Sequence, residues 1–156
     1  MKTKPLYIFD LDGTLALIDH RKHILDEVDD RQRWRRFYAA CDEDQPNIPI
    51  VSILETLRHA GCDVWIFSGR SDEVRDKTVK WLTEHTSFMS RDLDTALVMR
   101  RAGDYTADDK LKQRWLNGLL PDDRSRLKAV FEDRDRVVAM WRENGVACLQ
   151  VAAGDF

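Results

Sequence analysis

Asp10 and Asp12 are separated by a single leucine and followed by Gly13. Two acids at that spacing can divide the work of a group transfer, the first attacking as a nucleophile while the second donates a proton and then recovers it. The competing reading is a carboxylate pair that caps a turn or a helix start. Further along, Ser68-Gly69-Arg70 places a hydroxyl and free amides ahead of a helix start, either a cradle for a phosphate or a plain turn. Lys110 and Lys112 each carry a charge that would neutralise a phosphate and an attacking carboxylate together, so that an anion can approach an anion; without such neighbours they would only open a charged helix. A second acidic string, Glu132-Asp133-Arg134-Asp135, could face Asp10 and complete an all-oxygen magnesium site.

Strands and helices must bring these groups together. Leu6 to Phe9 is bulky without alternation, the pattern of a strand buried on both faces of a parallel sheet, and Asp10 and Asp12 stand where it ends. In open α/β sheets the carboxyl ends of strands face the ligand crevice. Ile50, Ile53, Leu54 and Leu57 mark one helical face, closed by Gly61, and Asp63 to Phe67 reads as a second buried strand that runs into Ser68. Ser71 caps the next helix, with Asp72 and Glu73 in its first turn and Val74, Thr78, Trp81 and Leu82 on its apolar face. Ala96 to Met99 is the third strand, and Thr106 or Asp108 caps the helix after it. Arg126 to Phe131 is the fourth strand, ending at the second acidic string. Val137, Val138, Met140 and Trp141 belong to a helix stopped by Gly145, and Val146 to Val151 is the last strand. The alternation predicts an α/β fold with a doubly wound, Rossmann-like parallel sheet.

Residues 17–47 break this regularity. They read as a small helical cap inserted after the first strand and over the site, with a helix over Arg31 to Cys41 that carries Trp34, Phe37, Tyr38 and Cys41 on one side and Arg31, Arg35 and Arg36 elsewhere. Such a helix either packs its aromatics on the body or offers them, with its arginines, to a nucleotide or strand end. Packing is the favoured reading for the aromatics.

A length of 156 residues with 43% hydrophobic content fits one domain with its own core, residues 1–156, and needs no second. The net charge of −3 excludes binding of polyanions by the whole surface, so any nucleic-acid contact must come from a local patch. No apolar run approaches the ~20 residues of a membrane span, and no signal peptide is visible, so a cytoplasmic protein without membrane contact is expected. Cys41, Cys62 and Cys148 lack metal-site spacing and read as reduced thiols, with Cys148 buried.

Tyr7-Ile8-Phe9-Asp10-Leu11-Asp12-Gly13-Thr14 resembles the first motif of the haloacid dehalogenase (HAD) phosphohydrolase superfamily, and the partner motifs follow in order. Within it the chain resembles the phosphatase domain of the T-even bacteriophage polynucleotide kinase-phosphatase. That likeness lies in Asp10-x-Asp12, Arg21, Ser68-Gly69-Arg70, Asp108-Asp109-x-x-Lys112, Asp133-Arg134 and the terminal Gln150-Val151-Ala152-x-Gly154-Asp155-Phe156. The resemblance implies a magnesium-dependent phosphomonoesterase that removes 3′-phosphates from polynucleotide ends through a phosphoaspartate. It implies Asp10 as nucleophile and Asp12 as general acid and then base, and it selects Lys112, with Ser68, to hold the transferring phosphate. Arg21, Arg70 and Asp108 match substrate-binding or essential positions, and Asp133, the side chain of Asp10 and the carbonyl of Asp12 match the Mg2+ ligands. Glu132 departs from the family's second Asp, and the kinase's Gly-rich loop is not in these residues, so no kinase activity is expected of them. Mononucleotides or other small phosphoesters therefore remain rival substrates to nucleic-acid 3′ ends. A non-catalytic phosphoacceptor or binding module is the third reading, and Asp12 argues against it, since only a leaving alkoxide needs that proton.

Overall fold

The computed structural model describes residues 3–27 and 30–154; the side chain of Arg31 and residues Asp155 and Phe156, on which expectations fell, lie outside the described residues. Leu6–Phe9 forms β1, and its place is set by its bulk and lack of charge: it becomes the central strand, with Leu6, Ile8 and Phe9 fully buried. Asp63–Ser71 (β4) and Leu127–Glu132 (β6) pair with it in parallel on either side, Leu97–Arg100 (β5) adds outside β4, and Cys148–Gln150 (β7) adds outside β6. The sheet order β5-β4-β1-β6-β7 is a doubly wound parallel sheet with its topological switch point at β1.

Alternate residues feed two cores. Phe9, Val64, Ile66 and Phe131 pack on one face with Leu54, Trp81, Leu82 and Leu93, whereas Leu6, Ile8, Phe67 and Val130 pack on the other with Leu116, Val137, Val138 and Trp141. Leu54 comes from α2 (Ile48–His59), Trp81 and Leu82 from α3 (Arg75–His85), and Leu93 from α4 (Ser90–Ala96). The opposite face is covered by α5 (Asp108–Asn117) and α7 (Asp135–Glu143). Phe9 and Phe131 stack 4.3 Å apart across β1 and β6, directly beneath the acids that end both strands.

The stretch between β1 and α2 contains a two-residue antiparallel ladder, β2 (Ala16–Leu17) with β3 (Gln45–Pro46), enclosing a 3₁₀ segment at Asp19–Asp26, α1 (Asp30–Ala39) and a 3₁₀ turn at Cys41–Glu43. The helix expected to reach Cys41 thus stops two residues earlier, and Cys41 is buried in the turn. Two short helices escaped the sequence reading, α4 and α6 (Pro121–Arg126), because each is too short and polar to show an apolar period. The start of α5 also differs: Ala107 holds the capping position without a side-chain bond, and Asp108 enters the first turn because its carboxylate is drawn to Arg100 and Lys112 instead. No helix among the described residues is long and apolar enough to cross a membrane.

Candidate active site

At the end of β1 the Asp10 amide still donates to the Phe131 carbonyl at 2.9 Å, after which the chain turns sharply: the Leu11 carbonyl accepts from the amides of Thr14, Leu15 and Ala16. Gly13 makes the turn at φ +83°, and an added Cβ would fall on the Asp133 carboxylate, so this position needs both the freedom and the small size of glycine. Asp10 and Asp133 are thereby brought together at the ends of adjacent strands.

Lys112, one turn into α5, reaches this point from the other face of the sheet. Its Nζ donates to Asp10 Oδ1 at 2.6 Å and to Glu132 Oε2 at 2.7 Å, with Asp108 Oδ2 3.3 Å away. Burial opposes the charge on Lys112, but Asp10, Asp108 and Glu132 outweigh it and raise its pKa well above the usual lysine value. The acids outnumber the lysine. Burial, and then the nearby Glu132, push Asp10 up to about 8; burial also pushes Glu132 up to about 7, and burial with the Asp10 charge pushes Asp133 up to about 6. Oxygens of Asp10, Glu132 and Asp133 lie within 4.8 Å of one another.

A second cluster adjoins the first. Asp12 Oδ1 accepts from Arg21 Nη2 at 2.7 Å and Arg70 Nε at 2.8 Å. Both guanidinium groups are completely buried, and both also bind Asp44: Arg21 through Nε and Nη2 at 2.7 and 2.6 Å, Arg70 through Nη2 at 2.7 Å. Burial disfavours the Asp12 carboxylate, yet Arg70 and Arg21 prevail and hold its carboxyl down at about 2. Asp44 is anchored in turn by the Trp81 indole, which donates to its carbonyl at 2.7 Å.

The family described as the polynucleotide kinase PNKP phosphatase domain matches residues 4–156, nearly the whole chain. The chain belongs to this family of HAD phosphatase domains. Among solved structures it is similar to a chain in the structure of the Pnkp1/Rnl/Hen1 complex (29% identity, TM-score 0.76) and to one in the Pnkp1/Rnl/Hen1 RNA repair complex (28%, 0.76), covering 100% of this chain and 49% and 45% of those. The chain thus spans about half the length of those relatives. A Class C acid phosphatase from Bacillus anthracis shares the fold alone, with 15% identity and a TM-score of 0.59 over 88% of this chain and 54% of that one.

In this phosphatase domain Asp10, Asp12, Asp108, Glu132 and Asp133 line one small pocket of about 50 Å³, walled by Trp34, Phe37 and Tyr38 of α1. Arg21, Arg70, Ser68 and Lys112 are buried and do not line it. Ser68 Oγ accepts from the Arg70 amide at 3.2 Å, and Gly69 leaves room for the Asp108 carboxylate. The two arginines expected at substrate are therefore found committed to Asp12 and Asp44. The three aromatics of α1 all wall the pocket but differ in burial: Phe37 is buried, with the Arg21 guanidinium 4.1 Å from its ring centroid, whereas Trp34 and Tyr38 are half-buried.

Four residues carry more of the site than their sequence context announced. Asp44 lies in the acidic string Asp42-Glu43-Asp44, where nothing distinguishes it from a solvated acid. Arg100 ties the loop after β5 to the site, donating to the carbonyls of Gly69 and Thr106 and to Asp108. Gln150 donates to the Asp133 carbonyl at 3.0 Å, and Gly154 packs against that same carbonyl so closely that any side chain would collide; the terminal string thus buttresses the Asp133 loop.

The acidic cluster suits a divalent cation. Asp133 is buried, and oxygens of Asp10 and Glu132 lie within 4.8 Å of its own. Three raised carboxyl pKa values beside one lysine mark negative charge that the protein leaves uncompensated.

Proposed function

We propose that the chain is a magnesium-dependent phosphomonoesterase that removes 3′-phosphates from polynucleotide ends through a phosphoaspartate on Asp10. The observation that carries this reading is the convergence of Asp10, Asp12 and Asp133 in one pocket with Lys112 bonded to Asp10. The polynucleotide end is supported by membership of the PNKP phosphatase family and by the likeness to a chain of an RNA repair complex.

Asp10 Oδ attacks phosphorus while the bond to the 3′ oxygen breaks, and Asp12 gives its proton to that oxygen. Water then attacks the same phosphorus, the bond to Asp10 breaks, and Asp12 recovers a proton from the water. Asp12 is held ionised by Arg21 and Arg70 in the free protein. It gains its proton when substrate adds negative charge beside it, and a phosphomonoester with a second pKa near ~6 brings one. Lys112 keeps Asp10 aimed and offsets its charge; Asp108 and Glu132 hold Lys112. Ser68 supports the turn through the Arg70 amide. Asp10, Asp133 and the Asp12 carbonyl would hold Mg2+, which supplies charge neutralisation of the transferring phosphoryl group. Residues 17–47 act as the cap that closes the pocket through α1.

The test is phosphate release, with Mg2+, from a 3′-phosphorylated oligonucleotide against a panel of mononucleotides and small phosphoesters. Faster turnover of the oligonucleotide is expected. If mononucleotides outperform every oligonucleotide, a small-molecule phosphatase replaces this reading.

A further inference from the structure

The small pocket at Asp10 opens into a cleft of about 530 Å³, and the two share Trp34, Tyr38, Arg100, Asp108 and Arg134 in their walls. A group esterified to a phosphate at Asp10 is led into that cleft, whose 530 Å³ is about ten times the 50 Å³ of the small pocket. The reaction itself uses nothing on the cleft's outer walls, formed by α1, by the loop between β5 and α5 and by the start of α7.

Those walls combine rings with cations. Trp34 is half-buried and tilted against Tyr38, ring centroids 5.8 Å apart, so that part of its face is open. Tyr105, on the loop after β5, is 71% exposed. An aromatic ring left in water at the mouth of a cleft is surface available for stacking. Arg35 is tied to Glu73 at 3.1 Å, and Asp104 is engaged by Arg114 and by the Thr106 amide. Arg101 and Arg136 are exposed and make no ion pair with any described acid, so the charge left uncommitted in the cleft is positive.

We propose that this cleft is the subsite for the terminal nucleosides of a single-stranded 3′ end, with bases stacking on Trp34 and Tyr105 and the diester 5′ to the reacting phosphate held by Arg101 and Arg136. Stacking plus cations holds single strands with little regard to sequence. The inference rests on the 3′-end reading above and adds where the strand lies and which residues select it over a small phosphoester.

The experiment measures kcat/KM of the full chain with Mg2+ on a 3′-phosphorylated single-stranded oligonucleotide and on p-nitrophenyl phosphate, for wild type, Tyr105→Ala, Trp34→Ala, Trp34→Phe, Arg101→Gln and Arg136→Gln. The ratio of oligonucleotide to aryl phosphate efficiency is expected to fall between about fivefold and a hundredfold in Tyr105→Ala and Trp34→Ala, the scale of one lost base stack, and to be largely restored in Trp34→Phe. Each arginine variant should flatten the salt dependence of the oligonucleotide reaction by about one unit of log slope. A wild type that prefers the oligonucleotide, with variants that keep its ratio and salt slope, overturns the subsite alone. A wild type that hydrolyses the aryl phosphate but not the oligonucleotide overturns the 3′-end reading, and the subsite with it.

Discussion

Arg21 and Asp44, 23 residues apart, form a buried two-pronged ion pair, Nε to Oδ1 at 2.7 Å and Nη2 to Oδ2 at 2.6 Å. The same Nη2 also donates to Asp12 Oδ1, so one guanidinium joins the inserted stretch to the end of β1. Planar forks of this kind fix direction as well as charge. Asp44 is therefore the counter-charge that keeps Arg21 and Arg70 aimed at Asp12. Asp44→Ala leaves two buried guanidinium groups sharing one carboxylate and is expected to cost roughly 3–5 kcal/mol of stability. Urea denaturation measures it, and a loss under about 1 kcal/mol would show that Asp44 is dispensable.

Asp12→Asn should spare activated substrates. An aryl phosphate leaves without the proton that a 3′ alkoxide needs, so turnover of the oligonucleotide should fall more than a hundredfold further than turnover of p-nitrophenyl phosphate. Parallel losses on the two substrates would count against a proton-transfer role.

The acidic cluster makes stability depend on pH in a defined direction. Asp10, Glu132 and Asp133 keep protons in the metal-free folded protein up to about 8, 7 and 6, whereas the unfolded chain releases them near ~4. Over that interval the native state binds more protons, so stability falls as pH rises. Asp12 works oppositely: held at about 2, it contributes stability above pH ~4 that is lost as pH drops toward 2. Thermal melts of metal-free protein should thus show a lower Tm at pH 8 than at pH 6, and Mg2+ should raise Tm more at pH 8, where it meets ionised acids. An equal gain at both pH values would speak against a cation among these carboxylates.

Gln150 tests the buttress behind Asp133. Removing its two hydrogen bonds, to the Asp133 carbonyl and to Asp135 Oδ1, should weaken Mg2+ affinity by about 10–100-fold in Gln150→Ala, as losses of outer supports to metal ligands do. Activity titrated with Mg2+ reads this as a shifted half-saturation point; an unshifted curve means that the Asp133 loop holds itself.

What the sequence disclosed follows the reach of its signals. β1, β4 and β6 were legible because unbroken apolar runs ending in acids or Ser-Gly have few other meanings, and their parallel order followed from the intervening helical periods. Bonds across long separations were not. Arg21 and Arg70 could be singled out as residues, but their burial against Asp44 depends on where the stretch from β2 to β3 folds back, and no local pattern encodes that. Asp108 offered a similar ambiguity, since a carboxylate at a helix start reads as a cap until Arg100 and Lys112 are placed beside it. In the sequence the terminal Gln150 and Gly154 carry meaning only as part of a resemblance, and the Asp133 loop gives them a physical purpose.

The central claim is that Asp10 is the nucleophile of a Mg2+-dependent 3′-phosphatase. It is tested most directly by following phosphate release from a 3′-phosphorylated oligonucleotide by wild type and Asp10→Asn side by side in Mg2+. The amide keeps the shape of the side chain and removes its nucleophilic oxygen, and because burial already disfavours the Asp10 charge, the variant should fold with undiminished Tm at pH 8 in the absence of Mg2+. A well-folded variant whose turnover is lost by several orders of magnitude is expected. A well-folded Asp10→Asn that still releases phosphate at a rate near that of wild type would contradict it.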